Sequence, residues 1–461
     1  MVKRTRRGTP RSLPSPALLC TLTALLLGTG CAGSAPETGP STPSVLPSHR
    51  AAFARALGRA STHRAEVLRR RDLTHRELWE ALEGPLASDA LRVTEPGVSV
   101  QGRPIRSITF GRGPVRVLLW SQMHGDESTA TMALADIMHW MAGGGPDPLR
   151  DRLAASLTVV MVPMLNPDGA QRFQRRNALA VDINRDARQL ATPEGRILKA
   201  LRDRLEPDFG FNLHDQNPHT LAGPGGRRAA FALLAPAYDQ SRSYDEVRSR
   251  ARKVAAVIAG VLQEEVPGRV ARYSDAFNER AFGDLMQRWG TSTVLIESGV
   301  LPGDPDKQRL RGLNAAAILT ALGALADGSF EEADIRHYEG LPPNRGYTHD
   351  LIIRGARVVL APDRVYRLDL AFSYQDGVKE EGLVLSESGD LEGYFGYREV
   401  DAEGRYIHPG PKMVHEDGEG RLWLLLDAPA DLTVREGPTP ESPLLRTVRP
   451  DTPLSGISGP G

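Results

Sequence analysis

The residues with the clearest chemical promise are His124 and Glu127, three positions apart in Ser121-Gln-Met-His124-Gly-Asp-Glu127. Side chains at that spacing, in a tight turn entering a helix, can converge on one metal ion. The pair alone is a weak signal, because His-x-x-Glu arises by chance in many chains and then lies on a surface. A second histidine changes the weight: Leu213-His214-Asp215 closes another predicted strand far along the chain. Residues just beyond the carboxyl ends of strands in an open α/β sheet gather in one crevice, so His124, Glu127 and His214 can meet there. His, Glu and His are the three ligands of a catalytic zinc that keeps a position open for water, whereas a structural zinc wants a fourth protein ligand, and none is apparent. Glu297 follows a third apolar run, Val294-Leu-Ile296. A carboxylate beside such a run has its pKa raised and suits a general base that takes a proton from activated water and hands it to a leaving amine. The alternative, a surface ion pair, is disfavoured by the strand-end position.

These positions matter only if strands and helices hold them together. Val115 to Trp120 and Leu157 to Val162 are nearly continuous apolar runs, as strands buried on both faces require. Phe209 to Leu213 and Thr293 to Ile296 read as two more. Between them, Thr129 to Met141 predicts a helix stopped by Gly143-Gly-Gly145, Asn166-Pro-Asp-Gly169 a turn, and Pro193 to Leu205 a helix capped by Thr192. Upstream, the Ala, Leu, Arg and Glu of Arg50 to Glu83 predict one helix, and Val93 to Ile108 a strand pair. The expected fold class is α/β, a mixed central sheet flanked by helices, over residues 50–330. From Asp350 the pattern changes to short strand-like runs separated by Gly, Pro and Asp, which predicts a small all-β accessory domain over 346–435 and a mobile Pro-rich tail over 436–461.

The start of the chain reads differently. Lys3, Arg4, Arg6 and Arg7 precede an apolar stretch from about Leu13 to Leu27, then Gly28-Thr-Gly30-Cys31. That order predicts an export signal over 1–31, with Cys31 as a lipid-anchored cysteine, and an ordinary cleaved secretory signal as the alternative. Gly28 departs from the aliphatic residue usual three positions before such a cysteine. The Ser, Thr, Pro and Gly that follow predict a flexible tether over 32–49. The expected location is therefore the cell envelope, at an outer membrane or cell surface, or else the periplasm or exterior. The two cysteines, Cys20 and Cys31, fall in this segment, which excludes a disulfide framework and leaves His and carboxylate as the metal donors. Lys plus Arg and Asp plus Glu each number 57, so no global charge draws the chain to nucleic acid.

A cluster of arginines remains: Arg172, Arg175, Arg176, Arg185 and Arg188. A guanidinium offers a planar donor fork for a carboxylate, so Arg185 beside Asn184 is a sensible anchor for an anionic chain end. A cation near the metal, Arg175 or its neighbour Arg176, could stabilise an oxyanion. A solvated basic loop is the plain alternative.

Taken together, Val98 to Gly299 resembles the zinc metallocarboxypeptidase family, with its carboxypeptidase-like α/β/α fold. The resemblance rests on His124-Gly-Asp-Glu127, Asn166-Pro-Asp-Gly169, Asp182-Ile-Asn184-Arg185, His214 and Glu297 in that order. It implies one Zn2+ ion on His124, Glu127 and His214, Glu297 as catalytic base, Arg175 polarising the scissile carbonyl, and Asn184 with Arg185 gripping the substrate's terminal carboxylate. It also implies that Asp182 orients His124, a role Asp215 could share. The implied activity is removal of C-terminal residues from peptides, cell-wall peptides among them. An N-acyl-amino-acid deacylase and a catalytically silent binding module are the competing readings. One departure stands out: the family's Tyr, about two dozen residues before the catalytic Glu, has no match within Asp275 to Glu279, and Tyr273 is out of register. Gly283 and Asp284 are expected on the wall of the side-chain pocket. His139 and His219 are expected to be bystanders.

Overall fold

The computed structural model describes residues 43–223, 227–347, 349–374 and 382–454. The export signal, Cys31 and most of the tether lie outside the described residues. The first helix, α1 (Pro47–Thr62), begins inside the stretch expected as tether, with Pro in its first turn. The helix expected from Arg50 to Glu83 is two helices, because α2 (His75–Leu86) starts afresh at a capping box: Thr74 accepts from the Glu77 N–H while Glu77 reaches back to the Thr74 N–H.

Strands and helices then alternate: β1 (Leu91–Val98), β2 (Pro104–Phe110), β3 (Val115–Ser121), α3 (Thr129–Ala142), α4 (Pro148–Ser156) and β4 (Leu157–Val162). After a single turn, α5 (Pro167–Ala170), come α6 (Pro193–Leu205), β5 (Phe209–Asp215), β6 (Thr220–Ala222), β7 (Phe231–Leu234), α7 (Glu246–Glu265) and β8 (Val270–Arg272). The region closes with α8 (Phe282–Arg288), β9 (Ser292–Ser298), α9 (Gln308–Asp327) and a short α10 (Arg336–Glu339). Eight strands make one mixed sheet in the order β1-β2-β4-β3-β5-β9-β7-β8, with β4, β3, β5 and β9 mutually parallel.

Side-chain alternation explains the continuous apolar runs. Val117, Leu119, Val159 and Met161 join the core shared with α1, α2, α3, α7 and α9. Their neighbours Leu118, Trp120, Val160 and Val162 join a second core with residues of α6 and α8. The same parity sends Phe211, Leu213, Val294 and Ile296 to the first core. It therefore turns His214 and Glu297 to the other face, and they sit opposite each other in the β5–β9 register. Gly210 leaves the space that Trp120 fills, for a Cβ there would lie 3.1 Å from the indole.

The C-terminal region is β-rich: β10 (Asn344–Gly346), β11 (His349–Ala361), β12 (Arg364–Tyr374), β13 (Leu383–Gly389), β14 (Gly396–Asp401), β15 (Tyr406–Pro409), β16 (Val414–Glu416), β17 (Leu422–Leu424), β18 (Leu432–Arg435) and β19 (Leu444–Val448). Seven of these form a sheet with its own apolar core around Leu351, Leu370, Phe372 and Leu385. The stretch expected as a mobile tail contributes β19, whose pairing with β18 buries Val448. β17 is a short hairpin strand outside this sheet, since it pairs β16 alone.

Candidate metal centre

The turn from β3 into α3 holds its side chains in fixed, buried positions. Gln122 adopts a left-handed φ of 49°, and its amide closes the turn on the Gly125 carbonyl at 2.9 Å. Asn166 ties the same turn down, donating from its backbone to the Gln122 carbonyl and from its side chain to the Met123 carbonyl. A Cβ on Gly125 would lie 2.0 Å from the Gly169 backbone, so the two turns touch only because Gly occupies that position. Asp168 pins the second turn to the β1–β2 hairpin through Ser99, the Gln101 N–H and Arg103. The Asn-Pro-Asp-Gly segment thus holds the metal-binding turn in place.

His124, Glu127 and His214 converge: one donor atom from each lies within 4.8 Å of the others, and all three side chains are buried. Glu127 spans the histidines, 2.8 Å from His124 Nδ1 and 2.7 Å from His214 Nδ1. The far nitrogen of His124 is 3.0 Å from Asp182, which leaves Nδ1 facing the shared point. His214 Nε2 has no protein partner. Two imidazoles and a carboxylate aimed at one point, with no fourth protein donor in the group, form the donor set of a catalytic zinc. Burial works against charge on His124, but Glu127 and Asp182 outweigh it and raise its pKa to about 9. Burial likewise opposes ionisation of Glu127, and the two histidines hold it well below the usual carboxylate range.

A cleft of about 460 Å3 opens over this group, and Glu297, Arg175, Asn184 and Arg185 share its lining. Glu297 is 8% exposed and its Oε2 has no partner. Burial first, and repulsion from Glu127 second, push its pKa up to about 8. The second cause weakens once Glu127 binds a cation. Arg175 lies 3.1 Å from both Glu127 and His124 Nδ1, and it clasps Asp182 at 3.0 Å. Arg176 turns away to the Ala180 carbonyl, so the geometry separates two neighbours that spacing could not. Asp182 accepts the Asn184 N–H at 2.9 Å, which orders the turn carrying Asn184 and Arg185. Asn184 accepts the Phe282 N–H on its side-chain Oδ1, fixing its amide at the start of α8. Arg185 is exposed, and its guanidinium donates to the Asn184 backbone carbonyl.

Residues 81–212 match the zinc carboxypeptidase family, Peptidase_M14. The zinc carboxypeptidase match includes His124, Glu127, Arg175, Asp182, Asn184 and Arg185; His214 and Glu297 lie beyond it and enter the site through the β5–β9 pairing. Probable carboxypeptidase 2 of Arthroderma benhamiae is 28% identical over 110 residues, 24% of this chain and 20% of that protein. Carboxypeptidase SOL1 of Arabidopsis thaliana is 30% identical over 102 residues, 21% of each chain. The chain thus matches about a fifth of the length of these curated relatives. Among solved structures, a metallo-carboxypeptidase from Burkholderia cenocepacia aligns with a TM-score of 0.45 at 19% identity, over 56% of this chain and 70% of that one.

Some residues of the cleft escaped the sequence reading. Tyr273, set aside on register, lines it, with a pKa raised by burial and then by Glu297. Its N–H is tied to the Leu233 carbonyl, and that β8 anchor is the signal a count back from Glu297 misses. Asn212, two residues before His214 on the same face, lines the cleft with a buried, unpartnered Oδ1. Gly283 and Asp284 line the wall as expected. His139 is a bystander bonded to the Ala81 carbonyl, and His219 stacks on Tyr347.

Proposed function

We propose that this protein is an exported zinc-dependent carboxypeptidase that removes C-terminal residues from peptides, cell-wall peptides among its substrates. One observation carries the reading: a His–Glu–His trio able to hold a metal, a buried glutamate with a free oxygen, and the neighbours Asn184 and Arg185 share one cleft. His124, Glu127 and His214 would hold one Zn2+ ion. When bound, the metal supplies Lewis acidity toward a peptide carbonyl and toward water. Arg185, with the Asn184 amide, takes the substrate's free carboxylate in a bidentate grip and sets the last peptide bond over the cleft. Glu297, through its unpartnered oxygen, takes a proton from the attacking water and returns it to the departing amine. Arg175 faces the developing oxyanion, and Asp182 keeps both Arg175 and His124 oriented. The basic start, apolar stretch and Gly-Thr-Gly-Cys31 sequence support export and a lipid anchor at Cys31. Among the described residues no helix is long and apolar enough to cross a membrane.

The test is mass spectrometry of a mixed peptide library incubated with the zinc-loaded protein, beside its Glu297→Gln variant. Stepwise loss of C-terminal residues is expected with the wild type, slowed about 10²- to 10⁴-fold by the variant while zinc stays bound. Intact peptides under wild-type protein with zinc bound would overturn the proposal in favour of the small-amide deacylase, and an undiminished variant would remove Glu297 as the base.

A further inference from the structure

Directly behind the metal-binding trio lies a buried lysine that the chemistry above does not use. Lys307 is 3% exposed and occupies the residue before α9. Three costs fall on it at once. Its backbone has a left-handed φ of 54°, a strained conformation for a residue with a Cβ. Its ammonium is taken out of water, which is unfavourable unless a counter-charge is met at close range. A cation also stands at the positive end of a 20-residue helix. The first turn of α9 has its own anion in Asp304, whose carboxylate accepts the Arg309 and Leu310 N–H groups; the Lys307 carbonyl accepts the Arg311 N–H, but its side chain makes no capping bond to the helix start.

What Lys307 does is bridge. Its Nζ donates to Asp215 at 2.9 Å and to the Ser298 carbonyl at 3.2 Å. Asp215 follows His214 and Ser298 follows Glu297, and the two are paired in the β5–β9 register. The same Asp215 oxygen accepts Thr129 Oγ1 at 2.7 Å, at the start of α3 two residues after Glu127. The Asp215 N–H donates to Glu127 Oε2 at 3.1 Å. One ammonium and one carboxylate therefore join the three chain segments that deliver Glu127, His214 and Glu297.

We propose that Lys307 is a positioning residue that, through Asp215 and the Ser298 carbonyl, fixes the mutual placement of Glu127, His214 and Glu297 and so sets metal affinity. The inference rests on reading the trio as a metal site. Partners that orient metal ligands typically contribute about 10- to 100-fold to affinity, and Lys307 acts at that remove.

The test compares zinc dissociation constants, by competition with a chromogenic chelator, for full-length wild type, Lys307→Met and a control, Arg311→Met. The control breaks another buried ion pair, Arg311 with Asp136, that touches none of the three ligands. Thermal unfolding of the metal-free proteins is recorded in parallel. Both variants are expected to melt lower, but only Lys307→Met to bind zinc about tenfold or more weakly. Zinc binding by Lys307→Met within twofold of wild type would overturn the proposal and leave Lys307 a purely structural ion pair. Equal weakening in Arg311→Met would overturn it too, as a general effect of destabilisation. Should Lys307→Met not fold, the neutral pair Lys307→Gln with Asp215→Asn decides by the same measurement: weaker zinc binding than wild type supports the role, and equal binding overturns it. Failure of wild type itself to bind zinc is a different result, one that removes the metal centre.

Discussion

Two carboxyl groups in the cleft have their pKa values raised by burial, and one of them by a neighbouring charge as well. Glu297 is pushed up by burial and by the nearby Glu127, and the second effect belongs to the metal site. Asp284 is raised to about 6 by burial, against the opposing pull of the Asn278 N–H it accepts and of Arg185 and Arg248. Its folded-state value lies above the free value of 3.8, so the stability contributed by its neutral form is complete below pH 3.8 and is lost as pH rises through about 6. Asp284→Asn, which keeps an acceptor for the Asn278 N–H, should therefore gain stability relative to wild type across that window. Urea midpoints measured at several pH values check this, and a constant difference would contradict it. The ligands and Glu297 were legible because strand ends announce themselves as apolar runs followed by a polar residue. Arg175 was separated from Arg176 only by direction, which spacing does not encode, and Tyr273 was set aside because the bond that seats it, from its N–H to the Leu233 carbonyl, is long-range and leaves no local pattern. Lys307 gave no signal, since a lone lysine after a Gly-Asp-Pro-Asp loop reads as a solvated residue.

Among the elements, the parallel strands at the centre of the sheet were readable from composition, because burial on both faces makes their middles near-continuous apolar runs, with most of the polar residues at their ends. The break between α1 and α2 had one local signal, the Thr74–Glu77 capping box, but the residues before it tolerate helix and tertiary contacts hold them as a loop. The Asp136 carboxylate of α3 accepts the Ala65 N–H, and Arg311 of α9 donates to the Ala65 and Leu68 carbonyls while pairing with Asp136. Those contacts give the connecting loop the hydrogen bonds that a continued helix would have supplied. Arg311 is fully buried, so Arg311→Met strands the Asp136 charge and should cost about 3–5 kcal/mol in a urea titration. A loss of about 1 kcal/mol or less, the size of an exposed pair, would contradict the assignment.

At the scale of the whole molecule, the C-terminal region meets the cleft wall at β10, a strand outside the seven-stranded sheet. β10 pairs β6, Asn344 donates to Gln216 at 2.7 Å, and Gln216 and Thr220 belong to the cleft wall. Tyr347 stacks on His219, and Arg228 bonds Asp350 while lying over Tyr347 and Tyr397. The accessory strands were legible as short β runs, but their grip on the loop after His214 was not, because long-range pairing leaves no local pattern. That grip helps shape the cleft in which we propose that Arg185 takes a free terminal carboxylate. The direct measurement pairs two peptides of one sequence, one ending in a free acid and one in an amide, with the zinc-loaded protein. Trimming from the C-terminus of the acid alone, at a rate that falls sharply with Arg185→Ala, is the predicted result. Equal cleavage of both peptides, or cuts within the chain, would contradict it.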